Sequence, residues 1–372
     1  NMDFSFSSDQ DILRKSVAEF LAKECSYETV KEIEESAEGY KPKLWKTIAE
    51  LGWLEILLPE EYGGFGDPFL NAIIILEEIG KAAFPSPFFS TVIECGLVLL
   101  EGGSEEQKKT LLKKIADGKL IMALAKYEED ASYFASGINM TAELSGDEYI
   151  LNGTKMFVVD ANIADKLIVA AKASEGITLF LVDAKAEGIT CTKMPTIALD
   201  NTCEVICENV KIPKADIIGE PGKGWEILEN ISTKVAVAKS AEMIGGAKAS
   251  LDMTAAYAKK REQYGRPIGG FQAIQHYMAN MLLAYDTSVN YLYMVAWMID
   301  EGMDCTKEVS ALKAQVNEKY KFISERGVQI HGGVGTSREF DIGLFYRRAK
   351  AYEFMAGDTE HHYEIVAQKL LD

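Results

Sequence analysis

The stretch Tyr149-Ile150-Leu151-Asn152-Gly153-Thr154-Lys155-Met156-Phe157-Val158-Val159 decides the fold. It is crowded with β-branched and aromatic residues that suit a pleated, half-buried surface. Similar short runs follow at 167–170, 177–182 and 205–212, bounded by turn residues. Ser145-Gly146-Asp147 and Asn152-Gly153 are hairpin punctuation. Together these runs predict a small antiparallel β domain over residues 119–222.

The flanks have a different period. On the N-terminal side, Ser7-x-x-Gln10 forms a capping-box pattern ahead of Ile12, Leu13, Val17, Phe20 and Leu21 on one helical stripe. A second helix carries Leu44, Trp45, Ile48 and Leu51 and stops at Gly52, and Leu58 to Gly66 is a glycine-rich loop. Helical spacing returns at 72–79, and Ser104-x-x-Gln107 starts another helix that ends at Gly118. Beyond Pro221 the only proline in about 150 residues is Pro267, which leaves long helices unbroken. Ile227, Ile231, Val235 and Met243, then Ile274, Met278, Leu282 and Tyr285, recur at helical intervals. The order is an N-terminal α-helical domain (1–118), a middle antiparallel β domain (119–222) and a C-terminal α-helical bundle (223–372).

Composition narrows the function. The 372 residues are 48% hydrophobic and 26% charged, with a formal net charge of -18. A nucleic-acid binder needs a basic face to neutralise phosphates, and this balance argues against one. The apolar stretch 281–299 contains Asp286, Ser288 and Asn290, so it reads as a helix buried among helices and not as a membrane span. The opening residues 1–10 are polar and carry no secretory signal, which predicts a cytoplasmic protein. Six cysteines without a CxxC pair predict free thiols in a reducing compartment. Cys203 and Cys207 have the look of a metal pair, but two thiols without further ligands are more often core residues, so no metal is expected.

Five motifs stand in order along the chain: Leu51-Gly52-Trp53 through Leu58-Pro59-Glu60-Glu61-Tyr62-Gly63-Gly64; Leu151-Asn152-Gly153-Thr154-Lys155; Ile218-Gly219-Glu220-Pro221-Gly222-Lys223-Gly224-Trp225; Arg261-Glu262-Gln263-Tyr264-Gly265 with Phe271-Gln272; and Gln329-Ile330-His331-Gly332-Gly333-Val334-Gly335. In this order and spacing the chain resembles the acyl-CoA dehydrogenase family over nearly its whole length. The resemblance implies an acyl-CoA dehydrogenase-like fold and FAD as cofactor. Arg261, Tyr264, Gln272, Gln329, Gly332 and Gly333 match the family's positions for the ADP portion of a neighbouring subunit's FAD. The residue types suit that task. Arg261 offers a permanently charged fork to a pyrophosphate, Tyr264 a ring beside adenine, and the glutamines amide donors. Gly332 and Gly333 let backbone approach closely. Taken singly, each of these is more simply a solvated helix face, and the glycine pair a helix stop. His331, His361 and His362 read as packing or surface residues, since no partner acid is evident.

The pattern breaks elsewhere. The family's own-flavin loop, Thr-Glu-Pro-x-x-Gly-Ser-Asp after an apolar strand, is replaced by Ala125-Lys126-Tyr127-Glu128-Glu129-Asp130-Ala131, which trades hydroxyls for charge. Its Trp-Ile-Thr strand is Phe157-Val158-Val159. Acyl-CoA dehydrogenation removes a proton α to the thioester, so it needs a base beside that carbon. The usual glutamate position is Ala356, and the alternative position in the first bundle helix is Val235, followed by Ala236 where an arginine often stands. Asp358 is a candidate relocated base, but a helix cap is the preferred reading for it.

The losses fall on the side that would hold the chain's own flavin ring and substrate, while the side facing a partner's FAD is kept. The resemblance therefore implies a base-lacking subunit of a heteromeric acyl-CoA dehydrogenase, with a homologous subunit as partner, an acyl-CoA as substrate and an electron-transfer flavoprotein as acceptor. Two alternatives stay open: a homo-oligomeric flavoenzyme using Asp358 or different acyl-CoA chemistry, and a non-catalytic scaffold.

Overall fold

A computed structural model describes residues 6–371, so residues 1–5 of the polar opening and residue 372 lie outside the described part. The chain gathers into two compact units, one of Ile33–Asp67 and Pro85–Val235, the other of Asn1–Glu32, Pro68–Phe84 and Ala236–Asp372.

The first unit is built on an eight-stranded sheet. Its strands are β1 (Met122–Ala125), β2 (Thr141–Ser145), β3 (Glu148–Val159), β4 (Lys166–Ala173), β5 (Gly176–Asp183), β6 (Ile189–Lys193), β7 (Thr202–Pro213) and β8 (Ile217–Ile218). The spatial order is β6-β7-β3-β2-β4-β5-β8, with β1 pairing β4. Most pairs are antiparallel, as the turn-rich sequence predicts. The β1–β4 ladder and the β2–β4 contact are parallel, because longer connections separate those strands. Residues 167–171 of β4 are buried without alternation, so both faces of that strand are covered. Ser145 to Glu148 forms the predicted hairpin turn. Asn152-Gly153 does not. It lies inside β3 at a register shift between Leu151 and Gly153, and the Asn152 side chain accepts the Asn209 backbone N–H at 2.8 Å. Turn-forming residues here mark a bulge.

The helices of this unit are short: α3 (Pro42–Glu50), a π-helical turn at Phe89–Cys95 leading into α5 (Gly96–Gly102), then α6 (Glu105–Gln107), a second π turn at Lys108–Leu112, and α7 (Lys113–Ala116). The Ser104–Gln107 capping box is present in both directions. The helix α2 (Tyr27–Glu35) crosses the boundary of the two units in sequence.

The second unit is helical. It holds α1 (Ser8–Glu24), α4 (Phe69–Ala82), the part of α8 (Gly224–Lys260) from Ala236 onward, α9 (Gln272–Asp300), α10 (Thr306–His331), α11 (Ile342–Tyr352) and α12 (Thr359–Leu371). The Ser7–Gln10 capping box opens α1 as expected. A Cβ at Gly80 would meet the Glu242 carbonyl oxygen at 1.8 Å, and one at Gly245 the Glu77 carbonyl oxygen at 1.9 Å. Glycine is therefore what lets α4 and α8 cross backbone to backbone. Arg14 of α1 bonds Glu77 of α4 at 2.7 Å and Tyr293 of α9 at 2.8 Å, tying three helices through one buried carboxylate. The Asp300 carboxylate accepts the Phe69 and Leu70 N–H groups at 2.6 and 3.1 Å, capping α4 from the far end of α9. On α9 a single stripe is buried (Met281, Ala284, Ser288, Leu292, Val295, Ala296), while Asp286 and Asn290 face outward. Asp286 and Asn290 are thus accommodated by exposure, while buried Ser288 donates its hydroxyl to the Ala284 carbonyl at 2.8 Å. Among the described residues no helix is long and apolar enough to cross a membrane.

Candidate functional site

Three groups of predicted residues can be located. The first is a hairpin. After α8 the chain folds into β9 (Glu262–Gln263) and β10 (Arg266–Pro267) around Tyr264 and Gly265, with φ of 53° and 80°. Positive φ at both central residues is the two-residue turn that suits the twist of paired strands. It places the Tyr264 side chain 94% exposed, and Arg261 and Gln272 are exposed beside it in sequence. Arg266 stacks 4.1 Å over the Phe271 ring, which stiffens the base of the hairpin.

The second is the end of α10. Gly332 terminates that helix with φ 68° and ψ -147°, a conformation open to glycine. A Cβ built on Gly332 or Gly333 meets no protein atom within 4 Å. These glycines make no room for the chain's own packing; they leave space outside it. Gln329, Gly332 and Gly333 line an open depression of about 460 Å³ together with Glu325, Val328, Thr336 and Tyr346. Thr336 and Tyr346 were not foreseen, since nothing in the sequence ties them to the glycine motif; Glu325 and Val328 were not singled out either, although both precede Gln329 on α10. Arg261, Tyr264 and Gln272 do not line this depression; they form the separate exposed hairpin. The depression itself offers the Gln329 amide and side-chain-free backbone at Gly332 and Gly333, beside the Glu325 carboxylate. His331 is a packing residue, as expected: its ring stacks on Tyr257 at 4.2 Å and its Nδ1 bonds the Gly327 carbonyl at 2.7 Å.

The third is the turn that carries Ala356. Ala356 and Gly357 have φ of 58° and 96°. An alanine in the left-handed region costs about 1 kcal/mol, so the surroundings must hold it. They do. The His362 Nε2–H donates to the Ala356 carbonyl at 2.8 Å, and the Lys313 Nζ donates to the Gly357 carbonyl at 3.0 Å and to Asn317 Oδ1. Lys313 is fully buried, and burial, then the nearby charge of Lys239, pushes its amine well below the ordinary lysine range. Burial likewise pushes His362 down to about 4, and its Nδ1 has no hydrogen-bond partner among the described residues. Asp358 Oδ1 accepts the His361 N–H at 2.8 Å, so this carboxylate caps α12. On α8, Val235 and Ala236 are buried and apolar. One turn further along, Lys239 pairs with Glu242 and lies 4.4 Å over the Tyr352 ring. The sequence signal for this cluster is a lysine interrupting an apolar helix face, which is easily read as a solvated position.

In the first unit, the loop after β1 carries the charges read from the sequence. Its acidic residues are not all turned outward. The Glu128 carboxylate accepts the Asn139 and Met140 N–H groups at 3.0 and 2.9 Å and the Lys155 ammonium at 2.7 Å. It is an internal brace that fixes the loop. Lys126 is held 4.9 Å from the Tyr127 ring and 4.0 Å from Glu94. Phe157 stands at φ 57° and is 41% exposed. Cys203 and Cys207 are both buried on β7, and no cluster of three or more metal-ligating side chains occurs among the described residues.

Comparison with known proteins agrees with this arrangement. The chain matches three family profiles in succession: the acyl-CoA dehydrogenase N-terminal domain over residues 7–119, the middle domain over 123–210 and the C-terminal domain over 222–371. It is 32% identical to a probable acyl-CoA dehydrogenase of Bacillus subtilis, covering 100% of both chains. It is 33% identical to a 3-(aryl)acrylate reductase of Clostridium sporogenes, covering 98% of this chain and 99% of that one. It superposes with a TM-score of 0.90 and 25% identity on a chain of the ChsE4-ChsE5 complex from Mycobacterium tuberculosis, covering 100% of this chain and 99% of that one. From its motifs, its helical–β–helical order and these matches, the chain belongs to the acyl-CoA dehydrogenase family of FAD-dependent oxidoreductases.

Proposed function

We propose that this chain is the base-lacking subunit of a heteromeric acyl-CoA dehydrogenase and completes FAD sites at the interface with a homologous subunit that supplies the base. One observation carries the reading. Both positions from which the family draws its base are alanine or valine, in a turn and a helix that are otherwise fully ordered by hydrogen bonds and packing. Asp358 is engaged as a cap.

FAD, when bound, supplies the acceptor for the hydride leaving the acyl group. The residues of this chain hold its ADP portion: Gln329, Gly332 and Gly333 along the depression, and Arg261, Tyr264 and Gln272 from the hairpin. Their outward placement supports donation to a neighbouring subunit, since a 94% exposed tyrosine gains little until something covers it. The similarity to a chain from a complex of two differently named proteins supports a heteromeric arrangement. Free thiols support a reducing compartment such as the cytoplasm. An electron-transfer flavoprotein as acceptor rests on the family relationship.

The test is made in the co-purified complex. Asp358→Asn in this chain should leave acyl-CoA turnover within twofold, and replacing the partner's carboxylate at its own base position should abolish it. Loss of turnover with Asp358→Asn would instead support a homo-oligomeric enzyme with Asp358 as base. A second reading, reduction of an α,β-unsaturated acyl group in place of dehydrogenation, is favoured by the relative named a 3-(aryl)acrylate reductase. It predicts turnover with an enoyl-CoA and a reduced electron donor.

A further inference from the structure

Cys191 and Cys203 lie on adjacent antiparallel strands. Cys191 is on β6, an edge strand of the sheet, and Cys203 is on β7. In the register, Cys191 faces Val205 and Lys193 faces Cys203. Directly opposed residues share a face, and so do residues two apart on one strand, so the two cysteines are diagonal neighbours on the same face. Their environments differ. Cys191 is exposed, and Cys203 is completely buried. The Cys203 thiol lies 3.4 Å from the Asn201 carbonyl and 3.6 Å from Asn162 Oδ1.

We propose that Cys191 and Cys203 form a peroxide-sensitive thiol pair that closes to a disulfide across β6 and β7. An accessible sulfur meets the oxidant, and a second thiol is its diagonal neighbour across the two strands. The neighbouring Cys203 thiol holds Cys191 below the ordinary thiol range, which favours the nucleophilic thiolate there. The neighbouring Cys191, then burial, pushes Cys203 up, so the inner thiol stays protonated and attack begins at the outer one. The thiolate sulfur of Cys191 takes one oxygen from the peroxide, O–O breaks, and a sulfenic acid forms with release of water or an alcohol. The Cys203 sulfur then attacks the sulfenic sulfur. The S–O bond breaks, and the Cys203 proton leaves with the hydroxyl as a second water. Two thiols are oxidised by two electrons and the peroxide is reduced by two. Diagonal Cβ atoms are farther apart than the roughly 3.8 Å a disulfide prefers, so the bond draws the edge strand inward and stays easily reduced. Closure also withdraws the Cys203 hydrogen from Asn162 and Asn201. Asn201 in turn bonds the Glu38 carbonyl at 2.6 Å and Asp160 at 3.3 Å, and Asp160 accepts the Ser90 hydroxyl at 2.6 Å. Oxidation at the sheet edge therefore reaches a buried hydrogen-bond network.

The experiment treats the full-length protein with hydrogen peroxide and follows intact mass, peptide maps and thiol titration. The expected result is loss of two hydrogens, a single Cys191–Cys203 linked peptide, and full reversal by a dithiol reductant. In Cys203→Ser, Cys191 should instead gain oxygen, and in Cys191→Ser, Cys203 should stay reduced under the same dose. Circular dichroism confirms that both variants fold. Oxygen addition at Cys191 in the unaltered protein without the linked peptide, or a link between two chains in place of the internal one, would overturn the proposal.

Discussion

His362 donates its Nε2–H to the carbonyl of Ala356 across 2.8 Å, and so holds in place the turn at which we propose the family's catalytic carboxylate is replaced. The turn is firmly held and presents only the Ala356 methyl group. Lys313 and Asn317 hold the next carbonyl, and Asp358 caps the helix that follows.

Removing the Lys313 ammonium should loosen this turn. Lys313→Met keeps most of the volume but leaves the Asn317 side-chain oxygen without its donor and weakens the hold on the Gly357 carbonyl. An unsatisfied buried acceptor costs about 1–3 kcal/mol. Urea unfolding of the variant should show a loss in that range with an unchanged m-value; equal stability would mean that the turn is held otherwise.

The buried imidazole makes stability depend on acid. The ordinary pKa of His362 is 6.5, and burial lowers it to about 4 in the folded chain. The unfolded chain binds a proton below 6.5 while the folded chain does not, so stability falls as pH drops from 6.5 toward 4 and levels off below. The full effect is roughly 3 kcal/mol for this group. His331, also held down by burial, adds to it in the same direction. Denaturant midpoints at pH 7 and pH 5 should differ accordingly, and His362→Gln should shrink the difference.

Asp358 separates two roles. Asparagine caps a helix about as well as aspartate, whereas alanine costs about 1 kcal/mol. Asp358→Asn should leave the melting temperature within a degree or two, and Asp358→Ala should lower it measurably. If Asp358 serves only as a cap, turnover of the complex should be preserved in the asparagine variant, because an amide keeps the acceptor but cannot take the proton.

The glycine-lined depression can be filled without disturbing the fold. A side chain at Gly333 meets no protein atom within 4 Å of its first carbon, so Gly333→Leu should keep the thermal midpoint and lower flavin retention by the complex. Arg261→Ala removes an exposed charge and should weaken retention roughly tenfold or more, since charge-assisted bonds contribute about 1.5–3 kcal/mol. Fluorescence of released flavin after gel filtration reports both; undiminished flavin in both variants would remove these residues from the site.

The order of helices, sheet and helices was legible because each part has its own hydrophobic period, and the capping boxes at Ser7 and Ser104 were legible because they are local. Asn152-Gly153 misled, since a bulge inside a long strand uses the same residues as a hairpin turn, and only the pairing of β3 with β7 tells them apart. The parallel β1–β4 ladder was hidden for a related reason: parallel partners are distant in sequence. Of the candidate site, the glycine motif at the end of α10 could be found from sequence, but Thr336 and Tyr346 reach it through a turn and the adjoining helix α11. Glu128 could be seen to put charge where the family has small residues, but its role as a brace for backbone N–H groups is fixed by the fold of its own loop.

The most direct test of the shared-site account is the ratio of flavin to protein, read from the visible absorption spectrum, for this chain purified alone and then with the homologous acyl-CoA dehydrogenase chain encoded nearest to it. The account predicts a colourless chain that becomes yellow, with stoichiometric FAD, only in the complex. Stoichiometric FAD in the isolated chain, together with acyl-CoA turnover, would contradict it.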